Sequence, residues 1–401
     1  MPFALMSPWF LGVALSAIVL VSALRGVPRQ LAFLALNIVF IGGFLLGPLG
    51  ALRTILFALL GYGLVLASTD RWKLTLAIVA YVALFVYLRG YGFLAWVLPE
   101  SFLVRALSTV GLSFLFFKVV HVIVDAHAGA LGRLDPLTYL NYCLNFTTFV
   151  MGPIQRFQDY RDQWTGEKEA IPLNFEAHLD ASLRILVGLV KVYVLAAFFE
   201  SRALQLDTDL TSLSPAGLIV QTYAFWFYLY LNFAGYCDVV IGIGSLLGVR
   251  PPENFNKPFL ARNISDFWQR QHRSLTLWLT DYVFNPTYKH LLSSGWTRNR
   301  KAWAAYIALM LTMVVSGLWH GTTISFLLFG LVHGSWFVIY RIWDDFLNKR
   351  LGRKRVQQFR ANPLVHVGGI VLTFNATAAA FIFFRASPES VLHTLAALIN
   401  L

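Results

Sequence analysis

His272 and His320 are the side chains of this sequence best placed for chemistry. His272 stands in a polar segment, PENFNKPFLARNISDFWQRQHRSLTLWLTDYVFNPTYKH (252–290), and His320 stands at the turn of SGLWHG (316–321), in a chain that is otherwise almost wholly apolar. An imidazole titrates near neutrality, so it can take a proton from a weak nucleophile such as a hydroxyl and return it within one turnover. Read as one helix, the polar segment puts Leu260, Ile264, Phe267, Trp268, Leu275, Trp278, Leu279 and Tyr282 on one stripe. Arg262, Asp266, Gln269, Arg273, Thr276 and Thr280 fall on the opposite stripe. His272 follows Trp268 by four and precedes Leu275 by three, so it points with the apolar stripe. On spacing alone, it is either a core histidine bonded to a backbone carbonyl or a reactive one.

The elements that must hold these residues follow from composition. The chain has 401 residues, of which 57% are hydrophobic and only 13% charged, with a mean hydropathy of +0.63. These values exclude an ordinary soluble domain and predict a polytopic, all-α membrane protein. The formal charge of +12 does not indicate nucleic acid, because Lys and Arg fall in short clusters between apolar runs, as in cytosolic loops beside anionic lipid. Two cysteines, Cys143 and Cys237, form neither a disulfide framework nor a metal-type spacing.

In chain order, Pro8–Leu24 reads as a retained first span that enters the cytosol at Arg25, not as a signal peptide. Spans are expected at about 31–47, 51–68 and 73–88, with Pro48 making one connection tight, and Tyr91–Leu98 as an interfacial aromatic piece. The span beginning near Leu103 carries Lys118, His121 and Asp125; ionisable residues at depth face the protein interior. His121, Asp125 and His127 resemble a metal set but lack a further ligand of defined spacing, and polar residues at a span end explain them equally well. Leu137–Gln155 ends in Gly-Pro and suits a broken or re-entrant helix, followed by a polar insert at 156–178. Leu179–Phe199 is a span, whereas Pro215–Val249 is too long for one helix across a bilayer; it contains Asn232, Asp238 and the close-packing glycines 242, 244 and 248. Basic stretches at 289–301 and 341–360 are expected as cytosolic loops bracketing a hairpin of spans, 302–319 and 323–341, whose tip at His320 lies away from the cytosol. Gly317 and Gly321 on one arm, and Gly330 and Gly334 on the other, would let helices approach closely. A last span covers 364–384, and 387–401 reads as an interfacial helix.

Three stretches together resemble the core signature of the bacterial membrane-bound O-acyltransferase family, which includes alginate O-acetylases and teichoic-acid D-alanyl transferases: FAGYCDVVIGIGSLLG (233–248), PENFNKPFLARNISDFWQRQHRSLTLWLTDYVF (252–284) and GLWHG (317–321). GLSFLFFKVVHVIVDAHAG and FVMGPIQRF resemble its upstream motifs. The sequence departs from the family at Gln271, where Trp is common, and at NPTYKHLL after Phe284. The resemblance implies one membrane domain: peripheral spans at 1–100, a catalytic core at 103–385, about 10–12 membrane helices in all and a central tunnel. It assigns the principal catalytic role to the position of His320 and a supporting one to His272. Asp238, Asn232, Trp319, Trp268, Arg273 and Asp281 are expected along the donor tunnel. No resident cofactor or metal is implied; an acyl thioester, as acyl-CoA or an acyl carrier protein, serves as donor on the cytosolic side. Membrane lipid and an extracytoplasmic acyl-relay partner complete the implied set, in a bacterial inner membrane. No GxSxG elbow suggests a serine acyl-enzyme. Broken helices and midplane polar residues also serve transporters, but no inverted repeat is visible.

Overall fold

The computed structural model describes residues 7–97, 99, 111–166, 174–203, 213–294 and 300–391. Among them every regular element is helical. Eight helices among the described residues are long and apolar enough to cross a membrane: Gly26–Gly43, Gly47–Ala67, Arg71–Arg89, Phe175–Glu200, Pro215–Leu246, Lys301–His320, Ile324–Ala361 and Pro363–Phe384. Pro8–Ala23 is a shorter apolar helix. The protein is therefore an all-α multi-pass membrane protein, and exposed leucines such as Leu66, Leu76 and Leu372 suit spans whose outer faces meet lipid. The expected segments at 101–110, 167–173, 295–299 and 392–401 lie outside the described residues, and with them most of the expected C-terminal interfacial helix.

Packing falls into two units, Met1–Tyr193 with Asn232–Glu253, and Val194–Leu231 with Asn254–Leu401. The first contains α1 (Pro8–Ala23), α2 (Gly26–Phe40), α3 (Gly47–Ala67), α4 (Arg71–Arg89), α5 (Leu112–His127), α6 (Pro136–Leu144), α7 (Phe157–Thr165) and α8 (Phe175–Val190). It also contains the C-terminal part of α9 (Pro215–Leu246). Pro48 sits in the first turn of α3, where its missing N–H costs nothing. The tight connection expected at 48–50 falls earlier: the π turn Ile41–Leu45 continues α2, and Leu46 alone separates it from α3.

The broken helix after Leu137 is present: α6 ends at Leu144, a short turn covers Phe146–Phe149, and the chain continues non-helically through the cis Gly152–Pro153 bond. Its backbone polar groups are met by the ionisable residues of α5 and its neighbours. Lys118 Nζ donates to the Tyr142 carbonyl and to Thr148 Oγ1, both at 2.9 Å. His121 Nε2 meets Tyr142 Oη at 2.7 Å, and that hydroxyl donates to the Gln155 carbonyl. Asp125 lies 3.5 Å from His121 and accepts from Gln158, while His127 turns to the Ser68 carbonyl. Of the three candidate ligands, His121 and Asp125 therefore face each other beside the irregular backbone, while His127 turns away to Ser68.

One 32-residue helix, α9, spans Pro215–Leu246, against the expectation that this stretch exceeds a single helix. After Pro215 no proline interrupts it, and its glycines accept close neighbours rather than bending it. A Cβ on Gly235 would lie 2.7 Å from the Gly188 carbonyl oxygen, and one on Gly242 would lie 2.8 Å from that of Ala181.

The second unit contains the N-terminal part of α9, then α10 (Ile264–Arg270), α11 (Arg273–Leu279), α12 (Asn285–Ser293), α13 (Lys301–His320), α14 (Ile324–Ala361) and α15 (Pro363–Phe381). The predicted hairpin is α13 and α14. Gly317 and Gly330 set its closeness: a Cβ on Gly317 would collide with the Phe326 carbonyl and lie 2.9 Å from Gly330 N, and one on Gly330 would lie 2.5 Å from the Met313 carbonyl. The basic stretch 341–360 is not a loop. It is helical in two pieces divided at Gly352 (φ 77°), because Lys and Arg are good helix formers and Asp345 pairs with Arg341 one turn away, while the Arg360–Asp344 pair, sixteen residues apart, joins the two pieces across the break.

Candidate functional site

The continuous helix read from Leu260 to Tyr282 does not form. Leu260 lies in a 3-10 turn and is 52% exposed, α10 stops at Arg270, Gln271 is extended, and His272 occupies the left-handed region at φ 47° and ψ 50° before α11 begins. Only Lys257 shares a positive φ among described non-glycine residues. Such a conformation costs roughly 1–2 kcal/mol in a residue with a Cβ, although His tolerates it better than most.

The preceding segment stabilises this elbow. Asn256 N donates to the Arg270 carbonyl at the end of α10, and Arg273 N donates to the Asn254 carbonyl at the start of α11, both at 2.9 Å. Asn254 Oδ1 accepts from Ser274 N at 3.1 Å and from Ser274 Oγ at 2.9 Å. Helix ends that would otherwise be orphaned are therefore capped across the break. Asn254→Ala is expected to lower stability by about 1–2 kcal/mol, seen as a fall in melting temperature in detergent, with Asn254→Asp retaining most of it.

The elbow buries His272, as the sequence predicts, but by backbone turn rather than helical phase. Its ring lies 5.8 Å from Trp319, and Trp319 lies 4.6 Å from His320. His320 closes α13 and is edged by Phe329 at 5.7 Å and Phe384 at 4.9 Å. Burial holds the His272 imidazole pKa well below its ordinary value, and the neighbouring His320 pushes it the same way. His272 is 5% exposed, whereas His320 is half-buried.

Trp268, on the buried face of α10, packs beside Phe329 and His333. Arg273 begins α11 half-buried, and Asp281 is exposed in the π segment Thr280–Phe284. Asp266 accepts from the Arg262 amide and from Arg270; burial alone would raise its pKa, but these contacts outweigh burial and hold it below the usual carboxylate value. The histidines, both tryptophans and Arg273 thus share one unit.

Asp238 and Asn232 belong to the first unit. Asp238 pairs there with Arg184 at 3.0 Å and Lys191 at 2.6 Å, and Arg184 also clasps Glu253 through both carboxylate oxygens at 2.6 Å. The Arg184 hydrogen bonds hold the Glu253 carboxyl below its usual range. Asn232 is buried.

Sequence reasoning missed two residues. Asn254 shapes the elbow, and only its hydrogen bonds reveal it. His333 is fully buried against Trp268, Phe329 and Trp336. Its signal was readable: GLVHG at 330–334 repeats GLWHG at 317–321 on the facing arm. Beside it, α10, α14 and α15 border an open cleft of about 880 Å³ lined by residues including Arg262, Asp266, Trp336, Trp343 and Arg360, but by neither His272 nor His320.

A multi-span helical protein with one buried and one half-buried imidazole on either side of a tryptophan ring has the parts of a membrane-embedded transferase. The chain belongs to the membrane-bound O-acyltransferase family, whose profile matches residues 33–373. It is 30% identical to the teichoic acid D-alanyltransferase of Bacillus subtilis over 70% of each chain, and 30% identical to that of Streptococcus thermophilus over 69% of this chain and 68% of the relative. A probable alginate O-acetylase of Pseudomonas aeruginosa is also 30% identical, over 71% of this chain but half of the relative. The family match identifies the protein as an O-acyltransferase and sets aside the transporter reading.

Proposed function

We propose that the protein moves a small acyl group, of acetyl or D-alanyl type, from a thioester donor on the cytosolic side of a bacterial inner membrane to a hydroxyl of an extracytoplasmic polysaccharide or cell-envelope polymer. The observation that carries this reading is the His272–Trp319–His320 array, with ring spacings of 5.8 and 4.6 Å. Two imidazoles this close do not both carry charge readily, and burial weighs against charge on His272. The half-buried His320 is therefore the base, and neutral His272 orients the donor. His320 takes the hydroxyl proton as the oxygen attacks the thioester carbonyl; collapse of the tetrahedral adduct breaks the C–S bond, and the leaving thiolate recovers the proton from His320. Arg273, at the start of α11, is assigned to docking an anionic donor or carrier. Both teichoic acid D-alanyltransferases and alginate O-acetylases among the relatives support a polymer acceptor.

The test is transfer itself. Purified protein in lipid vesicles, given labelled acetyl or D-alanyl thioester as CoA or carrier-protein conjugate together with a hydroxyl polymer, is expected to place label on the polymer in an ester cleaved by mild alkali. Movement of label without ester formation would overturn the reading. Orientation is tested separately by cysteines at Ser293 and Gln357, beside the two basic stretches, which impermeant thiol reagents are expected to label only from the cytosolic side. Labelling of both from outside would invert the topology.

A further inference from the structure

His333 is a third imidazole, on α14, with no part in the reaction as described above. It is 0% exposed and ringed by Phe329, Trp336, Trp268, Phe381 and Phe267 at centroid distances of 4.3, 5.1, 5.4, 6.0 and 6.5 Å. Trp268 Nε1 donates to His333 Nδ1 at 3.3 Å. An indole N–H can only donate, so Nδ1 must be the accepting nitrogen, and the neutral ring carries its proton on Nε2. Trp268 thereby fixes the tautomer. The Nε2 atom is fully buried and meets no hydrogen-bond partner among the described residues. A buried donor left without an acceptor is costly, and folded proteins keep few of them. Phe329 borders both His333, at 4.3 Å, and His320, at 5.7 Å, so the unmet donor and the base share one aromatic wall.

Resting on the reading of His320 as the base of acyl transfer, we propose that His333 Nε2–H donates a hydrogen bond to the acyl carbonyl oxygen and holds the oxyanion formed when the acceptor attacks. The bookkeeping of the step is unchanged. The carbonyl π pair moves onto oxygen as the new C–O bond forms, the His333 proton stays on Nε2 throughout, and the pair returns as the C–S bond breaks. Trp268 is the positioning residue, since its N–H keeps that proton on the nitrogen away from itself. In an apolar, water-poor setting a donor fixed in this way acts strongly on developing charge.

Three variants and a spectrum test the assignment in the full-length protein. His333→Leu is expected to lower kcat by roughly 10²-fold with the donor KM nearly unchanged, as loss of one oxyanion donor does. His333→Gln, whose amide nitrogen replaces Nε2, is expected to recover about tenfold of that loss. A purely structural histidine predicts the opposite order, because Leu fills an aromatic pocket with less strain than an amide. Equal activity for Leu and wild type, or Leu more active than Gln, overturns the proposal. Should His333→Leu not insert, Trp268→Phe keeps the ring packing while releasing the tautomer and is expected to reduce kcat alone; unchanged kcat there overturns the proposal. Nitrogen-15 spectra of histidine-labelled protein, assigned by comparison with His333→Gln, are expected to show the Nε2–H tautomer; an Nδ1–H tautomer overturns it. Failure of the base reading is distinct, because it appears as an active His320→Ala.

Discussion

His320→Ala is expected to reduce acyl transfer by roughly 10²–10⁴-fold while expression and membrane insertion stay near wild type, the range that a positioned general base contributes. The effect is large because the two imidazoles that share its aromatic surroundings are poor substitutes: burial weighs against a proton gained on His272, and His333 Nδ1 is engaged by Trp268. Insertion survives because His320 ends α13 half-buried and the closeness of the hairpin depends on Gly317 and Gly330 instead. Transfer assays on matched amounts of inserted protein check it. Retention of more than about a tenth of the activity would remove His320 from the base role.

His272→Asn separates the elbow from the imidazole. Asn accepts the left-handed conformation that His272 adopts, so the variant is expected to keep its melting temperature within a few degrees while losing on the order of 10²-fold in kcat. Arg273→Ala, one residue further, keeps its backbone bond to the Asn254 carbonyl and is expected mainly to raise the donor KM, with a loss that shrinks as salt is added. If Arg273→Ala abolished turnover at saturating donor while His272→Asn left it intact, the two roles would have to be exchanged.

These contrasts show where the sequence was sufficient. His272 was expected on the apolar face of a helix and is buried, yet its exposure to Trp319 comes from an elbow that no apolar periodicity predicts. The apolar residues Ile264, Phe267, Trp268, Leu275, Trp278 and Leu279 keep a spacing of threes and fours with a seven across the break, so α10 and α11 look like one helix. The signals for the break were Asn254 and Ser274, twenty residues apart, whose pairing only folding reveals. Likewise, the basic residues after Arg341 mark the flank of a membrane span equally well as loop or helix, and Asp345, one turn from Arg341, favours helix there.

What the sequence determined by itself was the all-helical membrane class, the broken helix after Leu137, the α13–α14 hairpin with its small-residue seam, and the family to which the chain belongs. Each follows from local composition or from an ordered motif, because a bilayer demands long apolar runs and internally satisfied backbone. What only the tertiary structure decided was partnership. His121 and Asp125 face each other and reach Tyr142 and Gln158, while His127 in the same short stretch turns to Ser68, and Asp238 pairs with Arg184 and Lys191. His333, distant in sequence from Trp268, receives its proton placement from that indole. Buried polar groups must find partners wherever the fold brings them, and those partners lie tens of residues away along the chain.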